Sequence, residues 1–268
     1  MAIFTNYSLP PPHKIEISST HYSWKKLQSL GKGDQAEVFL VEEKSGYFFA
    51  LKCFFSKEEQ ASRLPPETLP FLFKDDGTPI SALHEWEVAQ QLRHPNLLQY
   101  RELTRGSETT LLMEYVQGKI LSDIPSKTFD LPTTLTLLAE AADVLQYAFS
   151  KGWIHRDLHS TNAMVDNGQH LKLIDLASFE PLETSVEDDE TLEEQQKCLW
   201  YFFSSILEKG NLTAEQKEKI VQILNAPFVS PYWEARKQNR LSPKAASLFA
   251  AALREIAGGL GDMRRTTS

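Results

Sequence analysis

Cysteine is scarce: the chain has two, Cys53 and Cys198, and neither sits in a C-x-x-C pair or a spaced His/Cys set. Disulfide frameworks and zinc sites are thereby excluded, and a reducing compartment, the cytoplasm, is the expectation. No apolar run is long enough to span a bilayer, and the opening stretch MAIFTNYSLPPPHK has no basic segment followed by an apolar one. At most, peripheral contact with a membrane is left open. Basic charge is also short: 28 Lys and Arg against 36 Asp and Glu leave a net charge of −8. Binding to nucleic acid rests on neutralising phosphates, so that class is set aside. No repeat is visible, and low complexity is confined to Pro10–Pro12 and the closing GGLGDMRRTTS. What remains is an ordinary globular composition, 41% hydrophobic and 24% charged, on a chain of 268 residues that can hold one two-lobed domain or two modest ones.

Periodicity gives the layout. Residues 1–22 read as an extended lead-in with a proline run. From Trp24 to Phe55, short apolar runs broken by glycine predict antiparallel strands. Residues 56–79 hold four prolines and predict an irregular insertion, most simply packed on the preceding strands. ISALHEWEVAQQLRH predicts a helix on Leu83, Trp86 or Val88, and Leu92, stopped by HPN. Two strands follow at LLQYREL and ETTLLMEYV, then a long helix from Thr133 to Ser150 with Leu135, Leu138, Ala142, Leu145 and Phe149 on one face. The rest is expected to be mostly helical, with a capping box at Thr213 and Gln216 and a helix running from Ser242 to Gly258. Strands with one helix, followed by a helical half, predict an α+β fold: a β-rich lobe over 23–116, a helical lobe over 117–258 and a flexible tail over 259–268. A cleft between lobes is the expected ligand site.

Three stretches carry chemistry. LGKGDQAEVFLV fits G-x-G-x-x-G-x-V with Gly31, Gly33, Ala36 in the third glycine position, and Val38. Glycines let backbone N–H groups approach phosphates, although for this motif taken alone a hairpin turn is the plainer reading. Lys52 lies inside FFALKCFF, a run too apolar for an edge-strand lysine, so its ammonium needs an anion. Glu85 on the following helix is the first candidate and Glu87 the second. The third stretch, IHRDLHSTNAMV, wedges Arg156, Asp157, His159 and Asn162 between apolar residues, and Asp175 follows in LKLIDLA. Two aspartates and an asparagine carbonyl make a hard oxygen set that suits Mg²⁺; turn capping is the plainer alternative.

In this order, over about residues 24–210, these motifs resemble the protein kinases, including HPNLLQY after the helix and LLMEYVQGK at the family's hinge. The resemblance implies ATP and Mg²⁺ as cofactors. Gly31, Gly33, Ala36 and Val38 would cover the phosphates, and Lys52 would hold the α- and β-phosphates while pairing with Glu85. Backbone groups of Glu114 and Val116 would meet adenine, with Met113 behind it. Asp157 would orient or deprotonate the acceptor hydroxyl, and Asn162 and Asp175 would bind Mg²⁺.

Departures bear on the acceptor. Asp175-Leu176-Ala177 replaces Asp-Phe-Gly, which keeps the metal ligand and loses the glycine hinge. His159 stands where serine/threonine kinases usually carry lysine, as in small-molecule kinases such as the aminoglycoside phosphotransferases. No Ala-Pro-Glu follows, about fifteen residues from Ser178 precede the next expected helix, and ALHEWEVAQQL is similar to the lipopolysaccharide-core sugar kinases. Against a polyanionic glycolipid stands the stretch Glu180–Glu194, with eight acidic residues and no basic one, read as a loop. It also offers Glu187, Asp188 or Asp189 as a standing anion for Arg156, which implies constitutive activity. The expected function is an atypical serine/threonine protein kinase. The alternatives are a kinase of a sugar, glycolipid or other small hydroxyl compound, and a pseudokinase binding module.

Overall fold

The computed structural model of the chain describes residues 24–106, 108–181, 189–227 and 263. The lead-in over 1–22, the expected helix from Ser242 to Gly258 and the tail apart from Met263 lie outside the described residues. Two compact units emerge: Met1–Trp86 with Tyr100–Tyr115, and Glu87–Gln99 with Val116–Ser268. The architecture is α+β, a β-sheet unit followed by a largely helical one.

In the first unit, strands β1 (Lys25–Lys32), β2 (Ala36–Glu42), β3 (Phe48–Phe54), β4 (Tyr100–Thr104) and β5 (Thr110–Glu114) form one antiparallel sheet in the order β1-β2-β3-β5-β4. The β2–β3 turn closes through Gly46, whose φ of 83° is a left-handed conformation that glycine adopts without a Cβ penalty. Each sheet face carries a buried apolar cluster. On one, Ala36, Phe54, Leu103 and Leu111 pack with Ala82 and Trp86 of helix α3 (Ile80–Gln91); on the other, Val41, Phe49, Leu51 and Leu112 meet Trp24 and Phe39.

The insertion over 56–79 is partly helical rather than irregular. Helix α1 (Lys57–Ala61) starts at a complete capping box between Ser56 and Glu59, and a 3₁₀ turn at Pro66–Thr68 leads into α2 (Leu69–Leu72). A bridge between Phe73 and Pro79 returns the chain to α3, with the Phe73 side chain buried. Prolines here sit at helix starts, where their missing N–H costs nothing.

The second unit is built on α4 (Leu131–Ser150). Asp130 caps it by accepting from the Thr133 amide at 2.9 Å, and its apolar face is buried as the periodicity predicts. After α4 the chain is less helical than expected. It forms β7 (Trp153–His155), β8 (Ala163–Asp166), β9 (Leu171–Leu173) and β10 (Phe179–Pro181), which pair as β7-β10 and, with β6 (Gly118–Ile120), as β6-β8-β9. Helices α5 (Asp189–Lys209) and α6 (Ala214–Pro227) follow. The latter begins at the predicted Thr213–Gln216 box, with reciprocal bonds of 2.9 and 3.2 Å. Because α5 starts at Asp189, the last part of the acidic stretch is helical and not loop; acidic residues favour a helix N-terminus through the macrodipole. Among the described residues no helix is long and apolar enough to cross a membrane.

Candidate active site

Strand register brings together the candidate residues of the first unit. Gly31 pairs with Val38, Val38 with Lys52, and Lys52 with Leu111, so the glycine segment and the lysine share one cross-strand row. Gly33 closes the β1–β2 turn by donating its N–H to the Ala36 carbonyl at 2.9 Å. The fold itself does not require glycine at either position: a Cβ at Gly31 meets nothing within 4 Å, and one at Gly33 meets only the Ala36 carbonyl at 3.8 Å. Ala36, at the third glycine position, is buried in the core under β2.

Lys52 reaches the carboxylate of Glu85, which α3 carries into the interior at 1% exposure. Lys52 retains 23% exposure, so one end of this ion pair faces solvent. The second Glu85 oxygen accepts a hydrogen bond from the Tyr100 hydroxyl at 2.8 Å. Glu87, the second candidate, instead faces outward and accepts weakly from Gln91 at 3.4 Å. Met113 is buried in β5 opposite Ala50, Glu114 ends that strand opposite Phe49, and Val116 is buried just beyond.

In the second unit, the turn between β7 and β8 carries the densest polar set. Asp157 is exposed, and its Oδ2 lies 3.0 Å from His159 Nε2. Thr161 Oγ1 lies 2.5 Å from His159 Nδ1. Asn162 donates its side-chain amide to the Asp157 carbonyl at 2.9 Å, so that its Oδ1 is the side-chain atom able to accept from or ligate a further group. The Asn162 carbonyl accepts from the Ile174 amide at 3.0 Å, which ties this turn to the residue before Asp175. Asp175 accepts from the Ala177 amide at 3.1 Å and from the Ser178 hydroxyl at 2.5 Å. Leu176, in the place of the family's phenylalanine, is fully buried.

Beneath this turn, His155 stacks edge-on against Phe179 at 4.7 Å and takes the Asp157 amide on Nδ1 at 3.3 Å. Burial pushes its imidazole down to about 4, against the opposing pull of the Asp175 and Asp157 charges, so the ring is neutral. Pairing of β10 with β7 sets Glu180 opposite Ile154, and Glu180 Oε2 accepts from Arg156 Nε at 2.9 Å. Among the described residues, Glu180 is thus the anionic partner of Arg156. Of the acids expected there, Glu187 and Asp188 lie outside the described residues, as does the side chain of Asp189.

The residues fit a magnesium site in kind. Among the described residues no group of three or more His, Cys, Asp or Glu could hold a metal by itself. Mg²⁺ commonly takes only one or two protein ligands and completes its octahedron with water and substrate phosphates, which suits Asn162 Oδ1 and Asp175. Four polar partners were not anticipated from the sequence: Tyr100, Thr161, Ser178 and Glu180. Tyr100 and Thr161 lie within the motif stretches and Ser178 and Glu180 just after LKLIDLA, yet each hydroxyl or carboxylate is placed by register and turn geometry that residue spacing does not encode.

A protein-family model described as Protein kinase domain matches residues 24–220. Similar curated proteins include Aurora kinase B of Mus musculus, 31% identical over 150 residues, covering 54% of this chain and 39% of that protein. Cyclin-dependent kinase C-1 of Arabidopsis thaliana is 26% identical over 223 residues, covering 75% and 40%. Mitogen-activated protein kinase kinase kinase 3 of Arabidopsis thaliana is 28% identical over 174 residues, covering 63% and 25%. The chain spans two fifths or less of the length of these relatives.

Proposed function

The chain belongs to the protein kinase family, and from that premise we propose that it transfers the γ-phosphoryl group of ATP, with Mg²⁺, to serine or threonine hydroxyls of proteins. The observation that carries this reading is the Lys52–Glu85 pair. A carboxylate at 1% exposure is retained only with partners, and here it holds an ammonium that keeps one side open to a ligand. That is the arrangement needed to present fixed positive charge to phosphates. The glycine positions support the same reading, since the fold leaves space around them that a nucleotide's phosphates can enter.

Phosphoryl transfer needs positioning and charge stabilisation more than covalent chemistry. Lys52 holds the α- and β-phosphates, and Gly31 and Gly33 offer backbone N–H groups. Asp157 accepts the proton of the acceptor hydroxyl on Oδ1, while His159 donates to Oδ2 and fixes the carboxylate's orientation. Asn162 and Asp175 would hold Mg²⁺, which would neutralise charge on the phosphates. The Glu180 carboxylate already gives Arg156 an anionic partner, which supports activity without an added loop phosphate, although a pair this exposed contributes less than about 1 kcal/mol.

A protein acceptor is favoured because the relatives named above are protein kinases by name. His159 and the short stretch before α5 remain features in common with small-molecule kinases. The test is incubation of the whole chain with γ-labelled ATP and Mg²⁺, separately with a generic basic protein and with sugar-containing lipid. Label on serine or threonine is expected. Label confined to lipid moves the function to a sugar or glycolipid hydroxyl, and no label anywhere favours the pseudokinase alternative.

A further inference from the structure

We propose that Tyr100 is a positioning residue for nucleotide binding: its hydroxyl fixes the Glu85 carboxylate so that Lys52 is presented in a single orientation. This rests on the kinase reading above, and it begins from the burial of Glu85. A carboxylate at 1% exposure must be satisfied at both oxygens. Lys52 takes Oε1 and the Tyr100 hydroxyl donates to Oε2 at 2.8 Å. Held at one oxygen, a carboxylate still rotates about its terminal bond, whose torsional preference is broad; held at both, it is locked. The ammonium attached to it inherits that lock.

The Tyr100 side chain is itself well anchored. It opens β4, pairs with Met113, and is followed by a register shift before Glu102, the kind of irregularity that re-aims a side chain out of the regular pleat. Its ring packs against the cluster of Ala36, Phe54, Ala82, Trp86, Leu103 and Leu111. The hydroxyl therefore arrives at Glu85 on a rigid arm made by the sheet, and not on a mobile surface residue. A position that needed only packing could be filled by phenylalanine, which has nearly the same volume and brings no hydroxyl to satisfy.

The experiment compares Tyr100→Phe in the wild-type background and in Glu85→Gln. Affinity for a fluorescent ATP analogue with Mg²⁺ is one measurement, and the rate at which an amine-reactive reagent acylates Lys52, read by mass spectrometry, is the other. Loss of a buried hydrogen bond to a charged group predicts about ten-fold weaker nucleotide binding in the wild-type background. Because Tyr100 acts through the carboxylate, the same change in Glu85→Gln is expected to have less than about a two-fold effect. Lys52 in Tyr100→Phe is expected to acylate several-fold faster. If both affinity and acylation are unchanged while the urea midpoint falls, Tyr100 is a stability element only and the proposal is overturned. Equal loss of affinity in both backgrounds also overturns it. If the wild-type chain binds no nucleotide, the kinase reading fails separately, and the acylation rate alone decides whether Tyr100 governs Lys52.

Discussion

Lys52→Met tests the buried ion pair by separating its two partners. The substitution keeps a similar unbranched stem and removes the ammonium, which leaves Glu85, at 1% exposure, with Tyr100 as its remaining partner. Removing one member of a fully buried pair costs roughly 3–5 kcal/mol, because an uncompensated charge stays in the interior. Lys52 keeps 23% exposure and some water already reaches the pair, so the low end, about 3 kcal/mol, applies. For a chain of this size that corresponds to a fall in Tm of about 6–12 °C. Adding Glu85→Gln should recover at least half of the loss, since glutamine is neutral and still accepts from Tyr100. Scanning calorimetry and urea unfolding of the two variants measure both values. A Lys52→Met variant that melts with the wild type, or a double variant less stable than the single one, would refute the claim that a desolvated Glu85 depends on Lys52.

Three further outcomes are expected. Gly31→Ala and Gly33→Ala should fold with wild-type stability yet bind ATP more weakly, whereas Gly118→Ala should lose about 1–3 kcal/mol, because a Cβ at Gly118 would lie 2.2 Å from the Val165 carbonyl; urea unfolding beside nucleotide titration separates the two classes. The neutral, buried His155 binds fewer protons than the unfolded chain between its folded value of about 4 and the ordinary histidine value, so stability is full above that ordinary value and declines as pH falls toward 4. Between pH 7.5 and 5 the loss attributable to this residue is about 2 kcal/mol, and His155→Phe, which keeps an aromatic ring against Phe179, should flatten that part of the profile. Glu180→Ala should slow phosphotransfer by no more than about five-fold, while alanine together at Thr184, Ser185 and Thr191, the hydroxyl residues of the acidic stretch and so the candidate phosphorylation sites, leaves the rate unchanged; loss of activity in the triple variant would show that a phosphate on that stretch, and not Glu180, is the anion Arg156 depends on.

Legibility in the sequence followed the strength of the local physical constraint. The Lys52–Glu85 pair was readable because a lysine inside FFALKCFF demands an anion and the next helix offers one at the right face. The strands around it and the long α4 followed from periodicity, as did the capping box before α6. The capped helix in the insertion was equally available from Ser56 and Glu59, but four prolines suggested breakage where they mark helix starts. The start of α5 was hidden because a run of acids resembles a solvated loop. Glu180 as the partner of Arg156 depends on a three-residue pairing between β10 and β7, too short to leave a pattern. Tyr100 depends on a register shift in β4, and Thr161 and Ser178 on turn geometry, none of which residue spacing specifies.

The central claim is that Asp157 serves a phosphoryl transfer from ATP that Lys52 and its partners make possible. Single-turnover transfer from γ-labelled ATP to a basic protein, measured for wild type and for Asp157→Ala with ATP affinity determined in parallel, tests it most directly. A fall of about 10²–10⁴-fold in rate with ATP affinity preserved is the predicted result. Transfer at the wild-type rate in Asp157→Ala would contradict it.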